Sequence, residues 1–158
     1  MLLDEPDPTV PLVSELSQQL REELNRLDTE YKKLHAEGME RLHADANWQQ
    51  LEPEQRNGLL SAQKLSAGYQ PKVEVQTTPQ VLGTLHRLPL GQFADQIAAL
   101  PGRSNAVLEQ AAELCEPEAQ FVSLPRRTLK TAQEIDAWVL EAKSQLNAAL
   151  EKGPVVIK

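Results

Sequence analysis

Three histidines, one cysteine, a surplus of carboxylates and one basic cluster are the residues of this chain that could do chemistry. Their spacing leaves most of them without a reaction. His35 and His43 stand eight residues apart, about 80° around a helix and two turns along it, so one metal ion cannot easily take both. They read as flank or surface histidines, and so does His86. Cys115 lies in an Ala-rich stretch (AAELCEP) beside Glu113, Glu116 and Glu118. A reactive thiol needs a basic neighbour to stabilise its thiolate, and these three have the wrong sign. Cys115 therefore reads as a small buried apolar residue. The carboxylates lie on solvated helix faces, whereas a catalytic pair needs one pocket and two unlike environments. No GxxxxGK[ST] phosphate loop, GxGxxG turn, CxxC pair or HExxH helix occurs. The expectation is a chain with no catalytic, cofactor-binding or metal-ligating residues, and not an enzyme.

Arg126, Arg127 and Lys130 form the one dense basic cluster, at a hinge before the last helix. They fit a phosphate or nucleic-acid contact, an acidic partner surface, or a solvated hinge that balances nearby acids. No aromatic residues are interleaved for base stacking, which weakens a sequence-reading role. The whole chain carries 16 Lys and Arg against 23 Asp and Glu, a formal charge of −7. That sign opposes non-specific binding to nucleic acid unless a local patch overrides it. The imbalance sits in residues 1–70, with 7 bases and 13 acids, while residues 71–158 carry 9 and 10.

The elements that must position these groups are mostly helical. Aromatic residues are only 4% of the chain, so a core must be built from Leu, Ala and Val, which favours helix-on-helix packing. Leu12, Leu16, Leu20, Leu24, Leu27, Tyr31, Leu34 and Leu42 recur at spacings of three and four on one arc. They predict one helix over Val10–Ala46, with Thr9 as its cap and acid–base pairs Glu22–Arg26, Asp28–Lys32 and Glu37–Arg41 on the other face. Such a helix is about 55 Å long at ~1.5 Å per residue, too long for a compact bundle of this size. One end must project or pack on something else. Gly38, inside the stripe, either admits a close partner helix or marks a bend.

Pro53 at a first helical position opens a helix to about Leu65, and Gly68–Pro71 reads as a loop. Lys72–Val75 alternates and reads as extended. Thr78 before Pro79 predicts a capped helix to Leu88. Helices are expected over Leu90–Leu100 and Asn105–Cys115, broken or kinked at Pro101-Gly102, with Pro117 as the stop. Phe121–Leu124 reads as a strand. Thr131 and Glu134 make a T-x-x-E capping box for the last helix, whose arc is Ile135, Trp138, Val139, Ala142, Leu146, Ala149 and Leu150. Gly153-Pro154 ends it, and Val155–Ile157 reads as a strand able to pair in parallel with the first. Trp48 and Trp138 read as core anchors.

The fold class expected is mainly α: a multi-helix domain with one long N-terminal helix and at most two or three short strands near the C-terminus. Residues 1–158 form a single module, with the long and short helices in 1–66 and a helical subdomain in 71–158. One cysteine excludes an intrachain disulfide and fits a cytoplasmic protein. No segment approaches the ~20 apolar residues that span a bilayer. The start, MLLDEPDPTVP, is acidic, lacks a signal-peptide apolar region and reads like a linker inside a longer protein.

Two stretches, Asp45–Leu60 (DANWQQLEPEQRNGLL) and Ser123–Thr131 through Gly153–Ile157, carry a resemblance. With the LLDEPDP entry, they resemble the C-terminal region of the large P-loop ATPases of bacterial BREX phage-resistance systems, the BrxC/PglY group. The similarity covers essentially the whole chain, and its motifs are structural. It implies cytoplasmic phage defence within a multi-subunit complex. The family's nucleotide-binding motifs have no counterpart here, so no ATPase residue carries over. The expectation is a non-catalytic helical interaction or scaffold module, its first and last helices packed together, with protein partners and no membrane. The alternative is a nucleic-acid-contacting module using Arg126, Arg127 and Lys130. A small enzyme with an unrecognised site is the third reading.

Overall fold

The computed structural model describes residues 9–116 and 119–158. The expected linker at 1–8 and the expected stop at Pro117 lie outside them. Helix α1 runs Thr9–Ala44, then α2 Ala46–Gln50, α3 Pro53–Ala62, α4 Thr78–Arg87 and α5 Leu90–Cys115. Strand β1 (Gln120–Val122), helix α6 (Ala132–Leu150) and strand β2 (Val155–Ile157) follow. The protein is mainly α, with a long first helix and two short strands near the C-terminus.

The fold is organised by α1 against α5. Leu24, Leu27, Tyr31 and Leu42 of α1 meet Phe93, Ile97, Leu100, Val107 and Ala111 of α5 in one buried cluster. Between the two helices, Gly38 faces the buried Ser104 at close range. A methyl group built on Gly38 overlaps the Ser104 hydroxyl oxygen and lies 3.3 Å from its Cβ. The glycine is therefore the device that admits the partner helix, and α1 continues unbroken through it. Pro101 does not break α5 either. A proline in a helix interior forfeits one hydrogen bond and crowds the preceding turn, at ~3 kcal/mol. Here Phe93, Ile97 and Leu100 before it and Ser104, Val107 and Ala111 after it bury one continuous face, and that burial holds the helix together.

Several local expectations shift. Thr9 is the first helical residue rather than the cap. The loss of phase near Trp48 is a separate short helix: Asp45 Oδ1 accepts from the Trp48 N–H at 2.9 Å and caps α2. Trp48 is then buried, and Arg56 donates to the Trp48 and Gln49 carbonyls while its guanidinium sits 5.9 Å from the indole centroid. Helix α3 ends at Ala62, three residues early, because Lys64 turns the chain with φ 56°. Residues 67–69 form a single 3-10 turn. The cap of α4 is Thr77, not Thr78, because its capping-box partner is Gln80, three residues on. Residues 72–75 carry no regular secondary structure and join no strand among the described residues. The buried Thr84 hydroxyl donates to the Glu74 carbonyl at 2.9 Å and accepts from the Glu74 N–H at 3.2 Å, pinning the segment to α4.

Of the surface pairs expected on α1, Asp28–Lys32 forms at 2.6 Å. Arg26 turns instead to Glu23 and Glu30, Glu37 pairs with Lys33, and Arg41 reaches Asn105 of α5. The Glu23 hydrogen bond raises the Arg26 guanidinium and lowers its own carboxyl.

The first and last helices do not share a core: no α6 residue enters the main cluster. Instead β1 and β2 pair in parallel, Phe121 opposite Val156, and α6 covers them as a small strand–helix–strand unit. Strand β1 starts one residue earlier than expected and stops two earlier. The T-x-x-E box of α6 forms as read, and Gly153 takes φ 149° at its exit.

The Gly38–Ser104 contact gives a quantitative expectation. Gly38→Ala gains up to ~1 kcal/mol of helix propensity but overpacks the crossing, where added methylenes typically cost ~1–3 kcal/mol. Urea unfolding of a double-mutant cycle should show Gly38→Ala less harmful in a Ser104→Ala background by about 1 kcal/mol. Equal effects in both backgrounds would show that the two helices do not meet there.

Candidate functional site

The basic hinge lies in the irregular segment 123–131 between β1 and α6. Arg126, Arg127 and Lys130 are all exposed. They are not equivalent. Arg127 is committed to an ion pair with Glu141 on α6. The Glu134 carboxylate accepts from the backbone N–H groups of Lys130 at 2.6 Å and Thr131 at 3.1 Å. The positive end of α6, which would otherwise attract a phosphate, is thus already filled by the chain's own carboxylate. Among the described residues, Arg126 and the Lys130 ammonium have no ion pair, so two of the three cations remain for an external anion.

Trp138 anchors the hinge from the helix side, its indole N–H donating to the Pro125 carbonyl at 2.7 Å. It is half-buried rather than a core anchor. The expected apolar arc of α6 is covered on one border only. Ala142 is buried, Trp138, Leu146 and Ala149 are half-buried, and Ile135, Val139 and Leu150 are about half exposed or more. A groove of roughly 400 Å³ runs between this side of α6 and Leu124, just beyond β1, lined by Trp138, Val139, Lys143 and Leu146. Amphipathic spacing showed which residues share the arc. It could not show that a two-stranded sheet would be too narrow to cover them.

The other candidates stay apart. His35 is half-buried, stacked on Tyr31 at 5.9 Å, with Nε2 2.8 Å from the Leu65 carbonyl, while His43 and His86 are exposed. Burial pushes the Tyr31 phenol up, with Arg103 acting weakly against it. The described residues hold no group of three His, Cys, Asp or Glu placed for a metal ion. Cys115 is half-buried, its thiol donating to the Asn47 carbonyl at 3.3 Å. A cleft of about 170 Å³ joins the strand–helix–strand unit to the helical body, lined by Arg41, Asp45, Asn105, Glu109 and Lys158 among others. Several of its polar groups already have partners: Arg41 donates to Asn105 at 2.9 Å and Lys158 pairs with Glu109 at 3.2 Å. No described helix is long and apolar enough to cross a membrane.

Sequence reasoning did not find the partners that divide the basic cluster, Glu141 and Glu134. The signal for Glu134 was present in the capping box, and that for Glu141 was not, since it lies 14 residues from Arg127.

No protein-family model, curated protein or solved structure matches this chain.

The division of the cluster sets its ceiling as a nucleic-acid contact. Each phosphate contact contributes roughly −0.9 to the slope of log K against log[salt], so two free cations allow about −1.8 and three about −2.7. Weak or absent duplex binding is expected at physiological salt, because the chain is acidic. Any binding measured by anisotropy should have a slope no steeper than two contacts give. A steep, micromolar complex lost in the Arg126→Ala, Arg127→Ala, Lys130→Ala triple variant would put the nucleic-acid reading first.

Proposed function

We propose that this chain is a non-catalytic helical interaction module of a large cytoplasmic bacterial phage-defence ATPase of the BREX kind, with protein partners in that complex. The sequence resemblance supplies the setting. The observation that carries the interaction role is the first two turns of α1. Val10, Leu12, Val13 and Leu16 are each more than half exposed. Leu12, Val13 and Leu16 continue the helical arc that buries Leu24, Leu27 and Tyr31 further along, and Val10 lies beside it. An apolar stripe that outruns its own core fits a helix that docks on another protein, since exposed patches rimmed by polar residues mark such sites.

The nucleic-acid reading ranks second. Exposed Arg126 and Lys130, whose cationic groups have no ion pair among the described residues, favour it, and the commitment of Arg127 to Glu141 and the overall charge of −7 weigh against it.

The test is co-purification of the tagged chain with the remainder of a BREX ATPase and with the other subunits of its complex. The native chain should retain at least one of them. Val13→Glu with Leu16→Glu should abolish retention and leave the melting temperature within about 2 °C, because exposed substitutions rarely exceed ±0.5 kcal/mol. Retention unaffected by the double variant removes α1 as the docking surface, and no retention by the native chain removes the BREX assignment.

A further inference from the structure

Residues 9–16 of α1 are all exposed, and Ser17 is the first that is partly covered. Its hydroxyl oxygen lies 3.1 Å from that of Thr78, the first residue of α4, so cover on α1 begins where α4 begins. At ~1.5 Å per residue the bare stretch is about 12 Å long. Val13, Leu16 and Leu20 stand at i, i+3 and i+7, and Leu20 already packs on the edge of the core. That spacing is how a helix meets the apolar face of another helix.

The rim of the stripe carries a sign. At about 100° per residue, Leu12, Leu16, Leu20 and Val13 span about 100° of the helix. Glu15 lies about 60° beyond Leu12 on one flank, and Glu22 about 20° further round and two turns along. Both are exposed, and both accept from neutral amides: Glu15 from Gln19 at 3.5 Å and Glu22 from Gln18 at 2.7 Å. Among the described residues neither carboxylate has an ion pair. Arg21 lies on the opposite flank, beside Ser17 and Thr78, and donates Nη1–H to the Gln18 amide oxygen at 3.3 Å. Along the sequence, residues 1–23 hold six acids against that one base, and Asp4, Glu5 and Asp7 come just ahead of α1. A partner that lays an apolar face on this stripe must bring cations to its own rim. Like charges set against each other across an interface cost affinity, and opposite ones steer encounter.

We infer that the first two turns of α1 take an amphipathic helix of a different protein, one whose apolar stripe is bordered by Lys or Arg. A second copy of this chain does not offer such a helix. Another α1 brings the same acids. Helix α6, which also has a free apolar arc, carries Glu134, Asp136 and Glu141 against Lys143. The exposed cations of the basic hinge stand on the irregular segment ahead of α6 and not along its arc. An anionic membrane surface has the wrong sign as well, because it draws in basic segments and not acidic ones. This partner chemistry rests on α1 as the docking surface and does not depend on the phage-defence setting.

Two synthetic helical peptides, titrated against the full chain by fluorescence anisotropy, test it. Both carry the same leucine stripe, bordered in one by lysine and in the other by glutamate. The lysine peptide should bind at least about tenfold tighter, and added salt should narrow the gap. Glu15→Lys with Glu22→Lys should cut that preference at least about fivefold, because two exposed attractions become repulsions. Val13→Glu with Leu16→Glu should abolish binding although it adds acid to the surface, whereas attraction by charge alone would grow. Circular dichroism confirms that each variant keeps its helices. Equal binding of the two peptides, or preference for the glutamate peptide, overturns the basic partner. If Val13→Glu with Leu16→Glu still abolishes that binding, α1 remains a docking surface. Lysine-peptide binding that survives in this variant overturns both readings. No binding of either peptide overturns the inference, and the co-purification above judges the docking role separately. A native chain that dimerises through α1 in sedimentation equilibrium also overturns it.

Discussion

The close approach of Gly38 to Ser104 decides the geometry of the helical body. Two long helices can share a continuous apolar seam only if some position along it lets their backbones come near. Here a residue with no side chain meets one with a small one, and Leu and Phe residues interlock on either side. The rest of the body follows from that seam. Helix α2 and the buried Trp48 close its end, α3 lies against α5, and α4 is held beside α1 with its leader pinned through Thr84. Even the tolerance of Pro101 is a product of it, because a helix buried along seven positions stays one helix despite one missing donor.

Helix existence was legible where the apolar period was long, as in α1, and where it coincided with a cap, as in α6. What the residues alone could not give was competition between nearby caps and between nearby charges. Thr77 displaces Thr78 because Gln80 stands in its box, and Arg26 prefers Glu23 and Glu30 to Glu22. The break expected at Pro101 follows correctly from local propensity, and tertiary burial overrides it. The parallel pairing of β1 with β2 was readable from the strand–helix–strand order. The separation of that unit from the core was not. A helix's apolar arc says that something covers it, and not whether the cover is a core, a narrow sheet or another molecule.

The candidate site shows the same division. The composition of the basic hinge was visible, but its availability depends on Glu134 and Glu141, whose carboxylates occupy the helix start and Arg127. A cluster of three cations on paper is a pair in three dimensions. The apolar surfaces behave in the opposite way. Leu12 and Leu16, like Val139 and Leu150, lie on the apolar arcs read from the sequence and stand in solvent in the folded chain.

The junction between the helical body and the C-terminal unit has a consequence for how the protein opens. The body is held by a buried apolar seam, whereas the junction cleft mixes apolar side chains (Leu108, Val156, Ile157) with polar ones and is crossed by the half-exposed Lys158–Glu109 pair. Such a pair is screened by salt within a Debye length of ~8 Å, and a buried seam is not. Local opening free energies follow buried apolar contact, so amide protons of α5 exchange only on global unfolding, while those of α6 exchange through a smaller, salt-sensitive detachment. Ionic strength therefore acts on this molecule as a selective solvent for one joint.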